Sequence, residues 1–440
     1  MLTRTTRRLV FYTLILAFLA IGAGAVFYAQ GYRVDPDTFS VRKIGAVYVR
    51  TFPADTRISV GGISIGRSFA LFDTGVFVSN LFPKQYEVVA ERDGYLSWRQ
   101  DVSVEPSRVT QLKYVVLVPE RPFTITDDGA AEFRMIGQSP LIRTTSGTLA
   151  WSGARLPGNR VEGWTNDGNR LLTRNDRTGE YFWTDLGSGS STALNPLLSR
   201  AGIRPDRSVV LPDPENSSRL ILHAPGGLWS YELQANRLTR IATTTIPALT
   251  PERLARSRSR FAWTAYTTST KSSVLYLANA GSGAITTSSL AIAAEIRKLA
   301  WVADDTLALL SSDDTLHLHR PSAGTLVGRA DTVRDFALSE DGGMLAALER
   351  QSIEVFSLTG DDYWRLNVPD VAAVTRLTWY RDGRHLFLHY PDRIAFLDLD
   401  DRALRNLTTV VRTPYGEYDP EWNVLSYLAD ASVLGLTFPL

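Results

Sequence analysis

Leu299-Ala300-Trp301-Val302-Ala303-Asp304-Asp305, Phe336-Ala337-Leu338-Ser339-Glu340-Asp341-Gly342 and Leu377-Thr378-Trp379-Tyr380-Arg381-Asp382-Gly383 are three copies of one pattern. Trp301, Leu338 and Trp379 hold the same place in it, 37 and 41 residues apart. An apolar strand follows each copy: Leu307–Leu310, Met344–Leu348 and His385–Leu388. A further strand comes next, as at Ile353–Phe356 and Ile394–Leu397, and a turn such as Thr359-Gly360 or Asp400-Asp401 leads onward. Gly163-Trp164-Thr165-Asn166-Asp167-Gly168 is an earlier copy. Weaker ones surround Leu220–Leu222 and Phe261–Trp263, and partial ones lie near 124–155 and 413–440. Repeats near 40 residues with a strand-turn-strand rhythm are the signature of β-propeller blades, whose strands are apolar on both sides because neighbouring blades cover both faces. The reading is a propeller over 124–440 with about seven blades, in a range of six to eight. A pair of β-sandwiches is the structural alternative, but sandwiches rarely keep one aromatic-turn-strand order at a fixed period.

The Asp-Gly turn after an aromatic or leucine strand resembles the TolB-like and WD40-like propellers. Residues 45–118, upstream of the repeats, read as short half-buried strands broken by turn residues. Phe52-Pro53-Ala54-Asp55 precedes Ile58-Ser59-Val60 and a Gly61-Gly62 turn, and Pro83-Lys84-Gln85-Tyr86-Glu87-Val88 precedes Gly94-Tyr95. This order resembles the PEGA domain, a small β-sandwich-like module of bacterial and archaeal surface proteins. Lys84-Gln85 stand where that family usually has a glycine, and Arg67 to Asn80 is an insertion. The resemblance implies a structural or binding spacer rather than an enzyme.

Residues 9–29 run 21 positions without a charge. As a helix they would span about 31 Å, close to the hydrocarbon thickness of a bilayer. Arg4, Arg7 and Arg8 precede the run and the next basic residue is Arg33. The positive-inside rule then leaves residues 1–8 as a short cytoplasmic tail, makes 9–29 the transmembrane anchor, and sends a 30–44 linker and everything after it outside. Ala23-Gly24-Ala25 also fits a signal-peptidase site. The apolar run continues past it through Val26, Phe27 and Tyr28, which favours a retained anchor. A buried helix of a soluble domain is disfavoured by the flanking charge and the lack of an amphipathic face.

The chain has 47 basic and 46 acidic residues and a net charge of +1, so no global field favours nucleic acid. It has no cysteine, which excludes thiol catalysis, disulfides, Cys-ligated zinc and lipidation of an N-terminal cysteine. Its five histidines form no zinc-site spacing: His317 and His319 share one side of a strand, read as a solvated face, and His385 and His389 flank another strand as ordinary packed or exposed residues. The acidic pairs 304–305, 313–314, 361–362 and 400–401 fall at expected turns, where carboxylates accept backbone hydrogen bonds. Asp398–Asp401 lacks the central glycine and terminal glutamate of an EF-hand loop. There is no Gly-x-Ser-x-Gly, P-loop or dinucleotide fingerprint. Neither cofactor nor metal is expected, and most tryptophans sit in strands as packing residues.

One charged cluster stands out. Arg253, Arg256, Arg258 and Arg260 precede the Phe261–Trp263 strand and are the candidate partner contact, with a solvated blade loop as the plainer reading. The sequence therefore predicts a mostly β, membrane-tethered, extracytoplasmic scaffold of the cell envelope. Its expected partners are the lipid bilayer through residues 9–29 and a protein or glycan on the propeller. A propeller-type hydrolase or lyase acting on envelope polysaccharide or peptide is the alternative.

Overall fold

The computed structural model describes residues 4–35, 39–65, 75–165, 167–213, 216–224, 227–242, 254–256, 260–267, 269–279, 285–303, 305–358, 360, 363–399 and 406–439. Its contacts group into two compact units: one contains the residues up to Arg121, the other Pro122–Leu399 with Thr409–Thr437.

The first unit opens with helix α1 (Arg4–Ala29), exposed along its length from Arg8 and long and apolar enough over Arg8–Ala29 to cross a membrane. The stretch expected as a linker contains a small hairpin, β1 (Tyr32–Val34) against β2 (Val41–Lys43). Seven strands follow: β3 (Gly45–Phe52), β4 (Arg57–Val60), β5 (Ile63–Ile65), β6 (Val76–Leu81), β7 (Gln85–Glu91), β8 (Trp98–Ser103) and β9 (Val109–Val116). They form two sheets, β6-β3-β9 and β5-β4-β7-β8. Val47, Val49, Ile58, Val88, Trp98 and Leu112 meet between these sheets in one apolar core. Strand β8 shows why: its residues alternate strictly between buried and exposed, the period of a strand with one face on a core. The Gly61-Gly62 turn joins β4 to β5 with φ of 59° and 80°, a left-handed pair that glycine adopts at little cost. The end of the expected insertion, from Val76 to Asn80, belongs to strand β6, which pairs with β3.

Among the described residues, the second unit holds eight four-stranded antiparallel sheets. The innermost strands of these blades, in chain order, are Ala130–Ile136, Arg160–Trp164, Val209–Pro212, Leu254–Arg256, Ile296–Ala303, Val333–Leu338, Arg376–Trp379 and Gly416–Asp419. The fourth, outermost strand of blade 8 is β10 (Phe123–Thr126), which pairs with Ser432–Thr437. The innermost strand of blade 1 also packs beside that of blade 8. The ring is thus closed by strands from both ends of the repeat region. The blade number is eight rather than seven, the upper end of the expected range. Blade 1 turns through Gly137-Gln138 without the Asp-Gly signature, and blade 8 is split between residues 123–126 and 416–437, so neither reads as a full copy.

The repeated turn has a physical basis. In blade 2, Thr165 Oγ1 donates to Asp167 Oδ1 at 2.5 Å and Asn169 N donates to the same oxygen at 3.1 Å, while Gly168 N closes the turn onto Thr165 O. Ser339, Asp341 and Gly342 repeat this in blade 6, with Ser339 Oγ to Asp341 Oδ1 at 2.6 Å. Gly168, Gly342 and Gly383 all have φ between 63° and 68°, the left-handed region that makes glycine the repeat's fixed residue. The middle strands of blade 7, His385–His389 and Ile394–Asp398, are buried at every position, because blades cover both of their faces.

Candidate functional site

Within the propeller, the starts of the innermost strands of blades 1, 2, 7 and 8 converge on a cavity of about 720 Å³. Arg376 begins the innermost strand of blade 7, and its cross-strand partner is His389. Arg376 Nη2 donates to Gly416 O of blade 8 at 2.5 Å and lies 3.3 Å from His389 Nδ1. Thr378 Oγ1 is 3.2 Å from His389 Nε2. Burial first, and the Arg376 charge second, push His389 down to about 3, so the ring is a neutral hydrogen-bonding group. Burial also lowers Arg376, against the opposing pull of Glu417.

Glu417, on the innermost strand of blade 8, accepts from Arg134 Nη1 at 2.8 Å and from Met135 N at 2.7 Å, both in blade 1. This contact joins the last blade to the first. Arg143 Nε lies 3.7 Å from Glu132 Oε2, and Arg160 Nε lies 3.4 Å from Glu162 Oε1. Burial raises Glu162, with Arg160 and Arg174 acting in the opposite direction. Arg134, Arg143, Arg160 and Arg376 thus face Glu132, Asp176 and Glu417 around one cavity, with the half-exposed ring of Tyr415 also in its lining. Such a lining offers planar bidentate donors, carboxylate acceptors and an aromatic face, which suits a polar partner carrying carboxylates or hydroxyls.

The same arginine position recurs elsewhere. Arg297 Nη2 donates to Val333 O and Arg334 O of blade 6. Arg334 reaches Ala372 O, Val374 O and Val371 O on the way into blade 7, and Glu349 O within its own blade. Arg297, Arg334 and Arg376 each sit at or beside the start of an innermost strand and fasten it to the next blade. Their spacings of 37 and 42 residues match the aromatic repeat of 37 and 41 to within one residue, which was the available signal in the sequence.

Of the expected contact cluster only Arg260 has a described side chain, and it is not among the residues lining this cavity. Arg253 and Arg258 lie outside the described residues, as does the side chain of Arg256, whose backbone is in the innermost strand of blade 4. Arg260 packs its guanidinium 5.0 Å from the Trp301 ring centroid and pairs with Asp305 at 3.5 Å, linking blades 4 and 5. The histidine reading needs correcting. His317 and His319 are buried, not on a solvated face, beside Leu309 and Leu307 on the adjoining strand. Burial lowers both. The third strand of a blade is covered by the neighbouring blade, a tertiary effect that strand periodicity does not report. His385 is also buried, with Nδ1 2.7 Å from Asp382 and its ring stacked on Phe396. Among the described residues no three histidine, aspartate or glutamate side chains are grouped to hold a metal. Asp305 accepts from Ser322 N at 3.3 Å, the backbone bond expected of a turn carboxylate, whereas Asp313 accepts from the Ser311 hydroxyl at 2.5 Å and Asp314 pairs with Arg297 and Arg350; Asp304, Asp361, Asp362, Asp400 and Asp401 lie outside the described residues.

The β-sandwich before the propeller matches a family model over residues 44–120. These residues are a PEGA domain. The PEGA match extends the expected 45–118 by one residue at the start and two at the end. Phe52-Pro53 within it is a cis peptide, and Thr51 and Thr56 both donate to Pro53 O. No curated protein matches the chain. Among solved structures, the chain is similar to one in a mitotic checkpoint complex, at 16% identity over 72% of this chain and 93% of that one, TM-score 0.41. It is also similar to an oligogalacturonate lyase in complex with manganese, at 13% over 72% and 96%, TM-score 0.45. BamB from Moraxella catarrhalis is similar at 12% over 73% and 100%, TM-score 0.45. The propeller assignment rests on the sheet order described above rather than on these distant likenesses.

Proposed function

We propose that this chain is a membrane-tethered, extracytoplasmic binding protein of the cell envelope, and that its propeller holds a protein or glycan partner at the arginine-rich cavity of blades 1, 2, 7 and 8. Helix α1 is the single-pass anchor, with Arg4, Arg7 and Arg8 on the cytoplasmic side, and the PEGA domain is a spacer. The cavity carries the reading. Glu417 is engaged with Arg134 across the boundary of blades 8 and 1, Glu132 lies beside Arg143 within blade 1, and the histidine of the lining is held neutral. That arrangement suits recognition by exchange of polar contacts, and the buried His389 acts as a neutral hydrogen-bonding group rather than as a proton donor, so binding is favoured over turnover. A tether adds to this by confining the propeller near an envelope partner, which raises effective concentration without new contacts. Arg253, Arg256 and Arg258 remain a second candidate contact.

The test is capture from envelope extracts by the full chain in detergent. Arg143→Gln with Arg160→Gln should abolish capture while leaving a cooperative melt, since both side chains are more than a third exposed and glutamine adds no like charge beside Glu132 or Glu162. Charge reversal at Arg256 and Arg258 should weaken capture if that cluster contributes. Hydrolysis or elimination of an envelope polysaccharide or peptide, lost on Glu132→Gln, would make the protein an enzyme instead.

A further inference from the structure

The hairpin that follows helix α1 combines features that a solvent-facing connector would not need. Val34 and Val41 are cross-strand partners on one face, each 62% exposed, and Phe39 at the far end is 87% exposed. Tyr32 and Lys43 share the valines' face, with the ammonium 5.1 Å from the ring centroid. On the other face Arg33 is set directly opposite Arg42. Like charges opposed across two strands destabilise a hairpin unless counter-charge is close. Asp35 supplies some for Arg42, at 3.9 Å.

The hairpin is also tied to the end of the helix. Arg33 Nη1 donates to Tyr28 O at 2.8 Å, its guanidinium lies 3.4 Å from the Tyr28 ring centroid, and Ile44 N donates to Gly31 O at 3.0 Å. Phe27, Tyr28 and Tyr32 cluster at this junction, as aromatic residues do at a membrane–water interface.

We infer that the β1–β2 hairpin is a membrane-interface element that reads anionic phospholipid. Val34, Phe39 and Val41 enter the boundary between headgroups and acyl chains, while Arg33, Arg42 and Lys43 meet lipid phosphates. The inference rests on the anchor role proposed for α1, which sets the hairpin at the bilayer surface. Continuity with that helix and charge complementarity select lipid over a protein neighbour. Apolar area and basic charge act together in interfacial binding, and long basic side chains reach headgroup level from either face of a hairpin.

The absence of cysteine permits a clean test. Phe39→Cys, Phe18→Cys in the helix and Ser188→Cys in the propeller each take one environment-sensitive fluorophore on the full chain in nanodiscs, with and without phosphatidylglycerol. The Phe39 probe should be quenched by a lipid-borne quencher several-fold more than the Ser188 probe and less than the Phe18 probe. Phosphatidylglycerol should increase that quenching, and Arg42→Gln with Lys43→Gln should remove the increase. A water-like Phe39 probe beside a buried Phe18 probe would overturn the hairpin reading and leave the anchor standing. A water-like Phe18 probe would overturn both. Penetration indifferent to lipid charge would remove the anionic-lipid assignment. Shielding of the Phe39 probe without lipid quenching would assign the face to a protein neighbour.

Discussion

A neutral imidazole beside the half-buried Arg376 guanidinium makes His389 a point at which acid acts on the propeller. Its ordinary value is 6.5, and in the folded protein burial and Arg376 hold it at about 3. Between those values the unfolded chain binds one more proton at this site than the folded one. Stability therefore rises with pH across the window; this contribution is complete above 6.5 and is lost as pH falls toward 3. His389→Gln keeps a neutral hydrogen-bonding side chain and should flatten the slope, measured as urea midpoints across that window. Arg334 gives a second residue-scale prediction. One planar guanidinium serves four carbonyls, and a lysine cannot reproduce that fork. Arg334→Lys should cost about 2–4 kcal/mol through stranded acceptors, read by urea unfolding. Neither residue was singled out from the sequence for these roles. An arginine after a β-branched residue looks like any half-exposed strand position until the next blade's carbonyls are placed beside it, and only the shared period of Arg297, Arg334 and Arg376 hints at a joint role.

Legibility at the level of elements followed local chemistry. The blades whose inner turn uses an Asp-Gly pair could be read directly, because the left-handed glycine and the carboxylate acceptor belong to one short segment. The PEGA strands were readable for the same reason: Gly61-Gly62 and the alternation of β8 are local. The count of blades was harder, since blade 8 exists only when Phe123–Thr126 meets Ser432–Thr437, and no local pattern records that pairing. His317 and His319 were misread because their cover comes from another blade. The closing strand carries its own prediction. Ser432–Thr437 pairs with strands on both sides, so truncation after Asp430 strips partners from β10 and from Val424–Ala429 together. Exposed strand edges then invite aggregation. A loss of the cooperative melt with growth of high-mass species on gel filtration is the expected outcome, and an unchanged melt would rule out closure through this strand.

For the molecule as a whole, the proposed anchor and the proposed outward placement of the folded units can be tested directly. Protease added to spheroplasts should degrade the bulk of the chain and leave a short membrane-protected fragment containing α1. Deletion of Arg4–Ala29 should move the protein out of the membrane fraction without changing the melt of the propeller. A mature N-terminus near Val26 would show instead that the segment is removed. The β character, the repeat region and the apolar helix could all be seen in the sequence. The cavity could not, because its residues come from blades at opposite ends of the repeat region and meet only when the ring closes.

That closure also sets a timetable. Strand β10 is made first in the propeller, and its partner Ser432–Thr437 follows roughly 300 residues later, which at about 5–20 residues per second is a wait of some 15–60 s. For that interval seven blades can stack in order of synthesis while the earliest strand stays unpaired. A chain that stalls before its final strand therefore leaves the edge of Phe123–Thr126 unpaired, whereas the finished chain covers it.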